Sequence, residues 1–522
     1  MQVPTSNEEL FFSPAQELFE QMVSWLASDN VCGLEHQQLE SKLLEQGYEL
    51  LRRLFQGYLD RRKDDEIEGE CHGSDKASRT HKKKLSRKLT TIFGTVKVNR
   101  IGYGGRKITS LVPLDGELNL PTDQYSHGLR EKVAVETARS GFGETVSIIK
   151  KNTAASVGKR QVEQLAYKSA EDFEAFYTQQ QSKSQKCEAT GEIVVITLDG
   201  KGVVMRQQDL RQTTQKRAQA MSKKLNKRLT KGEKRNSKRM ATVASVYTIN
   251  PFVRTPQQIV TIEETEKKEE KQTRPKPIGK RVWASLVQQP SQVIQEAFDE
   301  ALKRNPNQKK SFCALVDGNK KQLSLLTQFA RQKQIKLTII LDIIHVIEYL
   351  WKAAFVFHDQ TSKQAEAWVN KRLLMILSGK SSLVAAGMRR SATKRQLTED
   401  ERKPVDVCAR YLLNNSAYLK YNEYLKAGLP IATGVIEGAC RHLIKDRMDI
   451  TGARWSLRGA EAVLRLRSLY ISGDWHQYWK FHLQQERQRN HSSLYIDGIP
   501  LMKQVKMARC PVVTPPPFPI PV

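Results

Sequence analysis

Three carboxylates follow or open segments from which an α/β sheet could deliver chemistry. Asp199 follows the apolar run Ile193–Leu198, Asp317 follows Phe312–Val316, and Glu437 opens the helical pattern Ile436–Leu443. Loops at strand ends project side chains from a rigid frame, and active sites gather there. Three converging carboxylates suit hard divalent cations, since Mg²⁺ and Mn²⁺ prefer oxygen ligands. Two such ions about 4 Å apart can activate a water or a 3′-hydroxyl and stabilise the leaving oxygen of a phosphodiester. Asp199, Asp317 and Glu437 are therefore candidate catalytic residues and metal ligands. Each alone also has a plainer reading. Asp-Gly is a common hairpin-turn dipeptide, so Asp199-Gly200 and Asp317-Gly318 also read as turns. Glu437 also reads as favourable charge at a helix start, paired with Arg441 four residues on.

A second pair lies at Asp342 and His345, one helical turn apart after the apolar run Ile335–Leu341. Asp342 reads either as a helix N-cap or as a rival for the second metal position, and His345 as an ordinary polar residue or as an accessory that orients a carboxylate or phosphate. Cations close in sequence to the acids are candidates for clamping DNA phosphates: Lys201, Arg206, Arg441, Lys445 and Arg447. Glu437, Arg441 and Lys445 are four apart, so one α-helical face could carry a metal ligand and phosphate contacts together. Trp455 reads as core, or as a platform for a displaced base.

The charge distribution points the same way. The 522 residues carry a formal net charge of +29, yet residues 1–70 carry a net −9. Residues 71–110 hold 11 Lys/Arg against one Asp, and 207–239 hold 12 against two acids. Such blocks read as solvated loops or as polyanion contacts that weaken with salt. At 39% hydrophobic and 27% charged residues, the composition is that of a folded globular chain. No apolar run approaches the roughly 18 residues of a membrane helix, and Met1–Leu10 reads as polar and acidic rather than as a signal peptide. Seven cysteines without a Cys-x-x-Cys pair argue against a disulfide framework or structural zinc. An intracellular, reduced, nucleic-acid-binding chain is expected, without a membrane partner.

Elements that would position these residues can be read from periodicity. Ser13–Asn30 and Glu35–Arg62 read as helices; in the second, Leu39, Leu43, Leu50 and Leu54 recur at helical spacing, for core packing or self-association. Residues 63–88 read as a loose charged stretch, followed by a hairpin around Gly94-Thr95. Residues 144–151 and 158–168 resemble a helix-turn-helix, with Lys159 and Arg160 opening its second helix as candidate DNA contacts. Strands are expected at 193–198, 202–206 and 240–249, a polar linker at 263–280, a helix at 290–304, a strand at 312–316, a helix at 320–334 and a strand at 335–341. Residues 343–428 read as almost wholly helical, with Ile344, Ile347, Trp351 and Phe355 on one face. Residues 434–447 start a further helix, and 511–522 form a proline-rich tail. This order, with acids after the first and fourth core strands and in a late helix, matches a ribonuclease-H-like scaffold by analogy.

The segments 197–200, 314–319, 341–345 and 434–438, closed by 452–456, resemble those of a DDE transposase. More closely, the chain resembles bacterial insertion-sequence transposases of the ISKra type, related to the Mutator-like group; 47–51, 59–62, 93–96 and 112–115 extend the resemblance over most of residues 40–490. It implies an α+β multidomain fold: an acidic helical region (1–70), a basic segment with a hairpin (71–125), a helical DNA-binding region (126–190), a ribonuclease-H-like α/β core (191–345 and 429–490) split by an all-α insertion (346–428), and a tail (491–522). It further implies Asp199, Asp317 and Glu437 as ligands of two Mg²⁺ or Mn²⁺ ions, with Asp342 and His345 accessory. Binding of terminal inverted repeats and target DNA, phosphodiester hydrolysis and strand transfer, a homodimer or larger assembly, and a bacterial cytoplasmic, nucleoid-associated setting follow. The zinc-binding Cys-x-x-Cys of some relatives is absent from the N-terminal region. A structure-specific nuclease or resolvase, or an inert DNA-binding protein, is the alternative.

Overall fold

The computed structural model describes residues 6–63, 65–67, 70–182, 191–220, 237–260, 273–450 and 452–502. The chain divides into two compact units of mixed helix and sheet. No helix among the described residues is long and apolar enough to cross a membrane.

The first unit comprises Met1–Glu136, Phe142–Leu165 and Trp479–Val522. Helices Ser6–Leu26 and His36–Arg61 pack on one another. Their crossing is close because Gly57 lacks a side chain: a Cβ there would stand 2.4 Å from the Phe11 carbonyl oxygen. The second helix is only partly committed to a core. Leu59 is buried against Leu89, Val96 and Val98, whereas Leu44, Leu51 and Leu54 remain exposed. Short strands β1 (Cys71–His72) and β2 (Ser78–Arg79) pair, and β3 (His81–Thr91), β4 (Gly94–Gly105) and β5 (Ile108–Leu111) form a second antiparallel sheet. The expected hairpin is present but longer. Lys82, Lys83 and Lys84 belong to β3 rather than to a loose stretch, paired through to His81↔Gly104. Lysines suit an edge strand, where their charge deters further strand addition.

Helices Phe142–Asn152 and Lys159–Ser169 coincide with the expected helix pair. Val146, Ile149, Val162 and Leu165 pack into one apolar cluster, and Lys159 and Arg160 are exposed.

The second unit comprises Thr137–Gly141 and Ala166–Tyr478. Its sheet has the order β10-β9-β6-β7-β8, from β6 (Ile193–Val204), β7 (Lys238–Ile249), β8 (Ile278–Ser285), β9 (Ser311–Val316) and β10 (Leu337–Leu341). The first three strands run antiparallel in sequence, and β9 and β10 run parallel to β6. Two expectations are corrected here. The runs 193–198 and 202–206 are one strand, since the β7 ladder continues from Ile193↔Ile249 through Gly200↔Thr242 to Val204↔Lys238. The supposed linker 263–280 reaches into β8, whose Val282, Trp283 and Ala284 are buried. Helix Pro290–Lys303 connects β8 to β9 and helix Lys320–Gln332 connects β9 to β10, since parallel strands cannot be joined by a tight turn.

Residues 343–426 form helices Ile343–Ala354, Lys363–Leu377, Ser381–Lys394, Glu399–Asn414 and Tyr421–Lys426. The first buries Ile343, Val346, Leu350 and Ala353, so its core face differs from the expected one; Ile344 and Phe355 are exposed. Of the basic block 207–239, a 3₁₀ turn (Gln207–Asp209) and helix Gln212–Gln219 are described; residues 221–236 and the proline-rich tail lie outside the described residues.

Candidate active site on three neighbouring parallel strands

Strand β6 explains how an acid can stand at the middle of a sheet. On one side its parallel pairing with β9 is recorded up to Thr197↔Leu315. On the other its ladder with β7 continues, and Asp199 faces Val243. Asp199 is thus neither a strand terminus nor a turn residue. It lies in an unbroken strand, two residues past the last recorded rung with β9. The same two-residue step on β9 reaches Asp317. Next to it, β10 pairs through Leu341↔Val316, and the Asp342 N–H donates to the Val316 carbonyl at 2.9 Å. Three aspartates therefore occupy equivalent positions on three neighbouring parallel strands, which are spaced about 4.8 Å apart.

Their environments differ. Asp317 is half-buried, and its Oδ1 accepts the Asn319 N–H at 2.9 Å. Asn319 in turn caps helix Lys320–Gln332 by accepting from the Lys321 N–H at 3.0 Å. Asp317-Gly318 is thus a strand-to-helix connection, not a hairpin turn. Gly318 has φ +92°, and a Cβ there would meet Tyr411 Cε2 at 3.3 Å. This close approach lets the Tyr411 hydroxyl donate to the Asp317 carbonyl oxygen at 3.1 Å.

Asp342 is fully buried. Its Oδ1 accepts the Ile344 N–H at 3.0 Å, the N-cap bond expected of it, and also the Thr433 N–H at 3.3 Å. Its Oδ2 accepts the Thr433 hydroxyl. Thr433 is the residue before helix Gly434–Ala439, which carries Glu437 and packs on β6 and β7.

Glu437 is exposed, and its carboxyl is held above the usual range. Partial burial is the largest cause, followed by the negative charge of Asp342; His345 opposes the shift, and Glu348 and Asp199 add to it. Glu437 and Asp199 are also linked through Cys440, whose thiol donates to Asp199 Oδ2 at 3.1 Å. Burial and then the Asp199 charge push that thiol far above its ordinary range, so it stays a neutral donor. His345 Nδ1 lies 3.6 Å from Glu348.

Four participants were not expected from the sequence. Glu348 follows His345 at helical spacing and Cys440 follows Glu437 by three residues, both readable signals. Thr433 and Tyr411 meet their partners across 91 and 94 residues, and local pattern carries no trace of that.

The helix after Glu437 is not regular. Cys440–Lys445 is a π-helical turn between Gly434–Ala439 and Asp446–Met448. Wider turns break the α-helical phase that would have set Glu437, Arg441 and Lys445 on one face, and such turns are frequent at functional sites. Lys201, Arg206, Arg441 and Lys445 are exposed, with Arg441 3.6 Å from Asp446. The expected phosphate contact of Arg447 is corrected, and of the two readings of Trp455 its burial favours the core. Arg447 is buried, donates to the Thr137 carbonyl at 3.2 Å and lies 5.0 Å from the Trp455 ring. Trp455 is buried as well, with its indole N–H on the Met448 carbonyl at 3.1 Å. Both belong to the core: the carbonyl takes one guanidinium N–H and the indole face attracts the cation, which offsets part of the cost of burying it.

Among the described residues, no three His, Cys, Asp or Glu side chains stand close enough to enclose a metal ion. The donor types still fit Mg²⁺, which is usually held by one or two carboxylates together with waters and substrate phosphates rather than by an all-protein cage.

No protein family matches the sequence, and no curated protein matches it. Among solved structures, the chain is similar to the Drosophila P element transposase strand transfer complex, with 10% identity, 70% of this chain and 81% of that chain covered, and a TM-score of 0.23. A likeness that slight does not establish a shared fold.

Proposed function

We propose that the chain is a DNA transposase with a ribonuclease-H-like core, in which Asp199, Asp317 and Glu437 are the catalytic carboxylates. The observation that carries this reading is the equivalent placement of Asp199 and Asp317 on adjacent parallel strands, with Glu437 in electrostatic reach of Asp199. The sheet order supports it: the first strand is central, the second pairs antiparallel with it and the third antiparallel with the second, and the fourth and fifth run parallel to the first on its other side.

Two Mg²⁺ or Mn²⁺ ions would be held by these three carboxylates, and when bound would activate a water or 3′-hydroxyl and steady the leaving oxygen. Glu437 lies in electrostatic reach of Asp342, Glu348 and Asp199, and such a gathering of carboxylates suits a divalent ion. Asp342 holds the Glu437 helix in place, and His345 supplies a nearby positive charge when protonated. Lys201, Arg206, Arg441 and Lys445 would steady phosphates. Lys159, Arg160 and the lysine-rich β3 would bind the ends of the element. A second copy of the chain would bring two DNA ends together, and the exposed Leu44, Leu51 and Leu54 offer it an apolar surface.

Asp199→Asn, Asp317→Asn and Glu437→Gln should each abolish Mg²⁺-dependent cutting of DNA bearing the element's ends while leaving binding nearly intact. A variant that cuts at the wild-type rate removes its residue from the site. Cutting without joining of the freed 3′-hydroxyl to target DNA would make the protein a resolvase-type nuclease instead.

A further inference from the structure

Beside Asp317 opens a cleft of about 850 Å³ that the catalytic reading leaves unused. It starts at Gly318 and runs between helix Lys320–Gln332 and residues of helices Ile343–Ala354 and Glu399–Asn414. Its volume falls within the roughly 300–1,000 Å³ of small-ligand sites.

Three cations line it: Lys320, Arg331 and Arg410. None of them makes an ion pair among the described residues, although acids elsewhere on these helices are paired, such as Asp406 with Arg402 at 2.8 Å. Lys320 and Arg331 stand at opposite ends of one helix, about 16 Å apart along its axis, so the unpaired positive charge is spread along the cleft and offers an anion a partner there. One wall is aromatic. Tyr349 and Tyr411 stack with ring centroids 4.2 Å apart and planes 20° apart, and both line the cleft. Gln328 and Asn414 add amide donors and acceptors.

From this combination we infer that the cleft binds one nucleotide, with its phosphate at Arg410 and its base against the Tyr349–Tyr411 wall. Phosphate recognition by guanidinium and base recognition by aromatic packing and amides are separate demands, and the cleft meets both. The nucleotide is either free or the unpaired terminal residue of a DNA strand, which the same chemistry would receive.

Equilibrium dialysis of the full chain against deoxyadenosine monophosphate tests this. Saturable binding is expected, weakened about tenfold or more by Arg410→Ala, which removes a charge-assisted contact from an exposed position. Tyr349→Ala should weaken it likewise, and Tyr349→Phe should not. A duplex with one unpaired terminal nucleotide, competing where a blunt duplex does not, would identify DNA as the source; no competition by either would identify the free nucleotide. Absence of saturable binding, indifference to Arg410→Ala, or equal displacement by inorganic phosphate would overturn the inference. Nucleotide binding can survive even if the three carboxylate variants still cut DNA, so the two readings fail separately.

Discussion

Asp342 fastens Thr433: one carboxylate oxygen takes the Thr433 hydroxyl, and the other takes its N–H at 3.3 Å. The adjacent Ile343 N–H donates to the Ile431 carbonyl at 3.0 Å, so the end of β10 and the start of the Glu437 helix form one joint. A fully buried carboxylate with both oxygens occupied is a positioning group. Asp317, half-buried on the neighbouring strand with one oxygen on the Asn319 N–H, keeps capacity for a ligand.

This distinction predicts different behaviour of the two asparagine variants. Asparagine caps helices as well as aspartate and can still accept from Ile344 and pair with Thr433. Asp342→Asn should therefore fold and lose cleavage activity by about ten- to a hundredfold, as loss of a supporting partner does, whereas Asp317→Asn should be inactive. Asp342→Ala should lower stability by about 1–3 kcal/mol, read from denaturant midpoints, through lost capping and unsatisfied Thr433. Complete inactivity of Asp342→Asn with an active Asp317→Asn would exchange the two assignments.

Gly318 should tolerate no side chain without cost. Its φ of +92° disfavours an L residue, and a Cβ would crowd both Tyr411 and Leu341, the latter at 3.4 Å. Gly318→Ala should destabilise the protein by roughly 1–2 kcal/mol. Tyr411→Phe, which loses only the bond to the Asp317 carbonyl, should cost about 1 kcal/mol. Chemical denaturation of both variants checks the order; an alanine variant as stable as wild type would mean that the connection rearranges freely.

Much of the core was legible because buried parallel strands read as continuous apolar runs, and Asp199, Asp317 and Asp342 interrupt those runs. Three strands precede the first connecting helix, as expected, but they are not the expected three. Gly200 and Gly202 suggested a break in β6 that the β7 ladder overrides, and Gly279 with Lys280 and Arg281 concealed the start of β8. Arg447 looked like surface chemistry because sequence shows residue type but not which carbonyls a fold will bring near. The Asp342–Thr433 joint was illegible for the same reason. Helical periodicity likewise found the helix after Asp342 but not its core face, because Ile344 and Val346 are equally apolar and only the packing neighbours decide between them.

In the first unit, Arg130 is buried and bonds Glu486 and Asp123, each at 2.6 Å. His127 Nε2 donates to the Asn119 carbonyl at 2.9 Å. Burial first, then the Arg130 charge, lowers the His127 pKa from 6.5 to about 4. Below about 6.5 the unfolded chain takes up a proton that the folded chain refuses, so stability present above that pH is lost as pH falls through about 4. Denaturant midpoints should decline over that window, and His127→Gln should flatten part of the decline. Arg130→Met, which leaves Glu486 buried without its partner, should cost about 3–5 kcal/mol; a loss below about 1 kcal/mol would show that Glu486 finds solvent.

The edge hairpin carries a conflict that the proposed DNA partner would relieve. Lys88 and Lys97 are direct cross-strand partners, and both are exposed. The Lys97 N–H and carbonyl are both taken by the Gln56 side chain, at 2.8 and 2.9 Å, so they point away from β3 and leave the two lysines as a non-hydrogen-bonded pair. Side chains are closest in such pairs, and like charges there are destabilising. Lys88→Glu should therefore make the protein more stable by about 0.2–1 kcal/mol while weakening DNA binding across sequences. The plot of log affinity against log salt should become less steep by about 1, or more if the new carboxylate also repels a phosphate. A variant that gains stability but keeps the wild-type salt slope would mean that this face of the hairpin does not meet DNA.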